Sequence, residues 1–168
     1  MSARIAVLAD IHGNVWALDA VLADARSQGA EEILNLGDTF WGPLRPRETW
    51  ERLRSEPRIT SVSGNQDRQT LEAPAGTEDC GAEARQRLAA LPFAAVHPDG
   101  IRLCHGSPRS DSEYLLEDIR SGAPRLRPAA SVAEALEGVS HPLVVCGHTH
   151  IPRLFEFAPG RLVVNPGS

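Results

Sequence analysis

The chain has 168 residues, enough for one domain with a substantial core, and a formal net charge of -5 with a pI near 5.7. That balance argues against a general nucleic-acid binder, which carries a basic face. Every basic residue is arginine, and the absence of lysine excludes both a Gly-Lys-Ser phosphate loop and Schiff-base chemistry.

Arg4 to Ala9 reads as a first strand that runs straight into Asp10-Ile11-His12, which leaves no room for a signal peptide. Trp16, Leu18, Val21, Leu22 and Ala25 then recur at helical spacing, and Gly29 stands where that helix should stop. Glu32 to Leu36 reads as a second strand, delivering Gly37-Asp38. Pro46 to Glu56 is a charged, exposed helix stopped by Pro57, and Ile59 to Ser63 a third strand delivering Gly64-Asn65-Gln66-Asp67. This β-α-β-α-β opening predicts parallel pairing.

Glu72 to Gly81 is rich in Ala, Pro, Gly and Thr and reads as a loop before a helix from Ala82 to Leu91. From Phe93 the pattern becomes antiparallel: Phe93 to His97 and Ile101 to His105 form a hairpin turned at Asp99-Gly100. Helical patches follow at Glu113 to Arg120 and Val132 to Leu136. Leu143 to Cys146 is a buried strand, and Arg153 to Phe157 with Arg161 to Val164 a closing hairpin. No fixed repeat or low-complexity run interrupts the chain.

Five short polar blocks thus follow strand-like runs: Asp10-Ile11-His12, Gly37-Asp38, Gly64-Asn65-Gln66-Asp67, Cys104-His105-Gly106 and Gly147-His148-Thr149-His150. Strand ends can bring all five to one sheet edge, where α/β proteins place ligands. Asp, Asn and His donors suit borderline and hard divalent ions, and a metal pair about 3.5–4 Å apart can clamp the attacking and leaving oxygens of a phosphoryl transfer. Each block alone is weak; the order and the Gly-His-Thr-His pair carry the signal.

Order and spelling resemble the calcineurin-like metallophosphoesterase superfamily, in particular its small single-domain bacterial branch, from about Ile5 to Ser168. The resemblance implies an αββα sandwich of two mixed β-sheets packed face to face and flanked by helices. It implies one divalent ion held by Asp10, His12, Asp38 and His150 and a second by Asp38, Asn65, His105 and His148, with Asp38 bridging. Mn²⁺ is the expected metal, with Fe²⁺, Zn²⁺, Ni²⁺ or Co²⁺ as alternatives. Two divalent ions against two carboxylates and a bridging hydroxide leave a positive cleft for an anionic ester. That hydroxide would attack phosphorus in line.

Position 66 departs from the family. Many relatives have His there, oriented by the following Asp; Gln66 can donate a hydrogen bond but not a proton. The expectation is therefore a phosphodiesterase, with Asn65, Gln66 and Asp67 as the catalytic group and a small phosphate ester or nucleotide as substrate. A dinucleoside polyphosphate hydrolase, a phosphoprotein phosphatase or a non-catalytic metal-binding interaction scaffold are the alternatives. Arg109 and Arg68 are candidate phosphate clamps, with Tyr114 behind them. Trp16 and Trp41 are expected in core and rim packing, and His97 and His141 at the surface or in turns.

Cys80, Cys104 and Cys146 are odd in number and lack finger spacing, so they read as core residues in a reducing cytoplasm rather than as zinc ligands. No apolar run is long enough to cross a membrane. The chain stops at Asn165-Pro-Gly-Ser168, where the family runs on. The expectation is one domain over 1–168, either short or cut relative to its relatives.

Overall fold

A computed structural model of the protein describes residues 4–74 and 80–168. Three parallel strands, β1 (Ile5–Leu8), β2 (Glu32–Asn35) and β3 (Ile59–Ser61), form one sheet in that order. Their crossovers carry α1 (Val15–Ser27) and α2 (Pro46–Leu53). Two more helices follow β3, α3 (Asn65–Glu72) and α4 (Ala82–Ala89).

The second sheet is mixed and contains β4 (Ala94–Val96), β5 (Ile101–Cys104), β8 (Leu143–Val145), β9 (Arg153–Ala158) and β10 (Arg161–Asn165). Its order is β4-β5-β8-β10-β9, with parallel pairing at β5/β8/β10 and antiparallel pairing at both edges. A short hairpin, β6 (Glu117–Asp118) with β7 (Arg125–Leu126), and helix α5 (Ala129–Ala135) lie between β5 and β8.

Alternation along the strands sorts the apolar residues into three cores. Val7, Ala9, Leu34, Leu36 and Val62 meet Leu103, Val145 and Val164 between the sheets. The other face of the first sheet, through Leu8 and Ile33, packs on Leu18, Leu22, Leu53, Ala84 and Leu88 of the helices. On the far side of the second sheet, Cys104, Val144, Cys146 and Val163 pack on Leu115, Leu116, Val132 and Leu136. The result is the expected αββα arrangement, and the first sheet is wholly parallel among the described residues. No helix among them is long and apolar enough to cross a membrane.

Several local expectations change. Glu113 to Arg120 is not helical: Leu115 and Leu116 are both buried, which an irregular segment capping the second sheet allows, and Glu117–Asp118 pairs as β6. Helix α3 begins within the Gly64-Asn65 block, and residues 75–79 of the loop read over Glu72 to Gly81 lie outside the described residues. In the β4–β5 connection the His97 N–H donates to Ile101, and Gly100 adopts φ +79°. The turn is thus a three-residue loop closed by a left-handed glycine rather than a two-residue Asp-Gly turn.

Trp16, expected in packing, is 60% exposed, because α1 turns Leu18, Leu22 and Ala25 inward instead. His97 is buried rather than superficial, with Nε2 2.9 Å from Glu32 Oε2. It links the start of β2 in one sheet to the turn after β4 in the other.

Glu56 ties the ends of the first sheet's crossovers together. Its buried carboxylate accepts from Arg58 Nε at 2.9 Å and Arg26 Nη2 at 3.0 Å, while Arg58 also donates to the Ala30 carbonyl. The Arg58 hydrogen bonds hold the Glu56 carboxyl below its usual range against the opposing effect of burial, with Arg26 assisting. A carboxyl depressed in the folded state stabilises it above the unfolded pKa, and that contribution disappears as pH falls through the folded value. Glu56→Gln should cost about 1–2 kcal/mol at pH 7, discounted because both guanidinium groups are partly exposed. Urea midpoints of variant and native protein should converge toward pH 3; a gap independent of pH would contradict this account.

Candidate metal centre

The five polar blocks leave the carboxyl ends of five strands, three parallel in the first sheet and β5 and β8 parallel in the second. The inter-sheet core holds those ends together, so the blocks converge. Asp10, His12 and His150 present ligand atoms within 4.8 Å of one another, and so do Asp38, His105 and His148.

The two triads touch through their carboxylates. Asp38 Oδ2 lies 3.3 Å from His105 Nε2 and 4.0 Å from His12 Nε2, so it faces both groups. Asp10 Oδ1 is 3.3 Å from His150 Nε2, 4.0 Å from His12 Nε2 and 3.9 Å from His105 Nε2. Asn65 Oδ1 meets His105 Nε2 at 3.0 Å, which brings the amide beside the second triad.

Backbone strain marks the same residues. Among the described residues, the non-glycine positions with positive φ are Asp10, His12, Asp38, His148 and His150, between 49° and 70°. Left-handed backbone is disfavoured for side-chain-bearing residues and persists where surrounding contacts over-determine it. Here the strand-end hydrogen bonds do so: Asp10 N–H donates to the Gly37 carbonyl and His12 N–H to the Asp38 carbonyl, both at 3.0 Å.

Hydrogen bonds also fix the ring orientations. His105 Nδ1 pairs with the Leu36 carbonyl at 2.8 Å and His12 Nδ1 with the Trp41 carbonyl at 2.7 Å. A carbonyl only accepts, so each Nδ1 carries a proton, and in the neutral ring each Nε2 offers its lone pair inward. Asp10 Oδ2 accepts from the His148 N–H at 2.9 Å, whereas its buried Oδ1 accepts no hydrogen bond at all. His12 Nε2 and His150 Nε2 face each other at 3.2 Å. An orphaned buried carboxylate oxygen ringed by imidazole nitrogens is costly unless a cation stands among them, and these donors suit divalent first-row metals.

The titration behaviour agrees. Burial pushes the Asp10 carboxyl up, against the pull of His105 and His150. Burial opposes a charge on His105, but the Asp38 hydrogen bond and the charges of Asp38 and Asp10 prevail and raise it. His148 is lowered by burial and by the neighbouring His105. A metal would compete with protons for the His105 Nε2 between the two carboxylates.

Asp67 is fully buried, and its carboxylate accepts from the backbone N–H groups of Asp38 (2.8 Å), Thr39 (2.9 Å) and Gly64 (3.0 Å). Burial raises it to about 6 despite these bonds. The sequence places it in the expected catalytic group, and in the structure these bonds hold the Asp38 loop against the start of α3. Gln66 donates its backbone N–H to Asp38 Oδ1 at 2.8 Å, and its own side-chain oxygen is buried without a partner.

The two candidate arginine clamps are engaged elsewhere. Arg109 donates to the Glu134 carbonyl. Arg68 Nε binds Asp111 Oδ2 at 2.8 Å, and its Nη1 binds Glu72 Oε1 at 3.0 Å. Tyr114, in contrast, packs its ring 4.7 Å from that of His148. Sequence reasoning also missed Asn165, whose buried amide donates to the Gly147 carbonyl at 2.8 Å and to Thr149 Oγ1 at 3.1 Å and so braces the Gly-His-Thr-His turn. Cys104 and Cys146 are buried in the outer core of the second sheet, and burial pushes the Cys104 thiol up to about 12.

Gly64 is required sterically. A methyl group there would collide with Asp38 Oδ1 and lie 2.6 Å from Asp38 N. Gly64→Ala should therefore cost about 1–3 kcal/mol of stability and displace Asp38. We expect metal affinity, followed by titration calorimetry, to fall at least about tenfold; unchanged affinity would show that the close approach is incidental.

A family model described as the calcineurin-like phosphoesterase superfamily domain matches residues 3–168. The crystal structure of a metallophosphoesterase from Sphaerobacter thermophilus is similar at a TM-score of 0.77 and 28% identity, over 100% of this chain and 77% of that one. Yfce, a phosphoesterase from E. coli, shares the fold at a TM-score of 0.57 and 23% identity, over 98% of this chain and 79% of that one. An uncharacterized protein of Methanocaldococcus jannaschii is 40% identical over 67 residues, 40% of this chain and 27% of that relative, so the match spans about a quarter of its length.

Proposed function

The chain belongs to the calcineurin-like phosphoesterase superfamily, and from that footing we propose that residues 1–168 form one domain that hydrolyses phosphate esters, preferentially diesters, with two divalent ions. The observation that carries this reading is the pair of triads, Asp10-His12-His150 and Asp38-His105-His148, joined through Asp38 and the orphaned Asp10 oxygen. Asp10, His12, Asp38 and His150 would hold one ion, and Asp38, Asn65, His105 and His148 the other. When bound, such a pair supplies Lewis acidity toward phosphoryl oxygens and draws the pKa of a water toward neutrality.

The protein's own residues then orient and discriminate. The Leu36 and Trp41 carbonyls keep His105 and His12 in the tautomer that presents Nε2. Asp67 fixes the Asp38 loop through three backbone N–H groups. Gln66 has an amide where a proton donor would stand, which favours leaving groups that depart without protonation. Arg68 and Arg109 are committed to internal partners, so neither of these two guanidinium groups is ready to neutralise a second phosphate charge. Both features support a monoanionic diester over a dianionic alkyl monoester.

The test is metal-stripped protein assayed on matched mono-, di- and pyrophosphate esters with Mn²⁺, Fe²⁺, Zn²⁺, Ni²⁺ and Co²⁺ restored in turn. We expect negligible turnover in chelator and recovery with Mn²⁺ on diesters. Metal binding without turnover of any ester would favour the non-catalytic scaffold instead.

A further inference from the structure

An open cleft of about 330 Å³ lies among α1, the end of β1, Leu44 and residues 166–168, within the size range of small-molecule sites. The first triad forms part of its wall, because Asp10, His12 and His150 all line it. The His12 and His150 side chains are 26% and 45% exposed, so a group held at that triad has an open side beside the cleft.

The remaining side chains of the wall are mostly apolar. Leu8 and Leu18 are buried at its base, while Ala17, Val21 and Leu44 are exposed, Val21 at 44% and Leu44 at 43%. Among the described lining residues there is no arginine, and Asp10 supplies the one carboxylate side chain. The Asn14 amide is engaged in capping α1, where its Oδ1 accepts from the Ala17 N–H at 3.1 Å. A charged or polyhydroxylated group placed here would shed water and gain few partners in return. An apolar group would instead remove its own surface and that of Leu18, Val21 and Leu44 from water.

We propose that this cleft is the subsite for one ester arm of the substrate, and that it selects an uncharged apolar group, an aryl ring or a medium-length alkyl chain. The proposal rests on the two-metal reading and names the substrate class within it, phosphodiesters with an apolar arm. Metal ligands and apolar wall divide the work. The metal centre takes the phosphoryl oxygens, and Leu18, Val21 and Leu44 take what is attached to them.

The experiment uses methylphosphonate and hexylphosphonate, which share a head group and differ only in chain length, in chemical-shift titrations of the Zn²⁺-loaded protein. Each methylene that leaves water is worth about threefold in affinity, so hexylphosphonate should bind at least about tenfold tighter. Its methyl-group shift changes should include Leu18, Val21 and Leu44, whereas those of methylphosphonate should stay at the triads. Ala17→Phe, which fills the cleft, and Val21→Asp, which charges it, should each erase most of the difference and leave methylphosphonate affinity within about twofold. Both positions are exposed on α1, so the fold and the metal ligands are untouched.

Equal affinities for the two phosphonates, or a difference that survives both substitutions, would overturn the subsite while leaving the metal centre in place. Failure of both to bind the loaded protein would overturn the metal-centre reading and the subsite with it. A dimer seen by sedimentation that Val21→Asp breaks and hexylphosphonate leaves intact would assign the cleft to a second copy of the chain and overturn the proposal. Tight hexylphosphonate binding in a protein that hydrolyses no ester would uphold the subsite and overturn the hydrolase reading.

Discussion

Replacing Asp38 by Asn is expected to lower kcat/KM on any accepted ester by about 10³-fold or more, the largest loss from a single near-isosteric change. The reason lies in its position. Asp38 Oδ2 faces His105 of one triad and His12 of the other, while Oδ1 accepts from the Gln66 N–H at the start of α3. An Asn in the same rotamer can keep the Gln66 hydrogen bond through its carbonyl oxygen. It then offers an NH₂ toward two imidazole groups and removes one of two carboxylate charges from a buried site. The loss should fall on metal retention and on kcat, leaving the fold intact. Metal content per chain, circular dichroism and steady-state rates separate these effects: an Asn variant that keeps two ions and full turnover would dissolve the bridging role.

Much of this site is legible in the sequence because strand ends are local features. The apolar runs of β1, β2, β5 and β8 mark where each strand stops, and the polar block that follows lies at the sheet edge. The Gly-His-Thr-His block adds two side chains that packing cannot explain. What the sequence hides is what each neighbour does. Asp67 stands in a motif and reads as chemistry, yet it is buried and bound to three backbone N–H groups. Asn165 stands outside the motif blocks, at the end of β10, yet it braces the turn that presents His148 and His150. Only the folded chain brings residues so far apart in sequence to one place.

The errors in secondary structure share a cause. Helix α3 lacks an apolar stripe because its inward residues are Asn65, Asp67 and Thr70, so periodicity does not reveal it. The signal present was the Asp67 carboxylate three residues after Gly64, which accepts the Gly64 N–H as the acidic half of a capping box does. In Glu113 to Arg120 the adjacent Leu115 and Leu116 imitate one face of a helix, but both are drawn into the core beneath α5. The segment's hydrogen bonding goes to β7 instead. Tertiary burial overrode local pattern in both places, and both flank the metal centre.

The leaving-group dependence of the native protein should be steep, because the Gln66 amide cannot donate a proton. Gln66 stands where the family resemblance implies an imidazole, and its side-chain oxygen is buried without a partner. For a series of aryl and alkyl diesters with one constant arm, the rate should fall continuously as the leaving alcohol's pKa rises. Gln66→His should flatten that fall and raise turnover of alkyl leaving groups. A well-placed general acid contributes about 10²–10⁴-fold, but the gain here should stop near about tenfold. The carboxylate that would orient such a ring, Asp67, is fully occupied by the Asp38, Thr39 and Gly64 N–H groups, and an imidazole misplaced by about 1 Å forfeits much of its effect. Releasing Asp67 to orient the ring would free the Asp38 loop, so the double requirement cannot be met by one substitution. A flat leaving-group plot for the native protein, with the chemical step shown to limit the rate, would mean that another residue supplies the proton; Tyr114, against His148, would then be the first to replace by Phe.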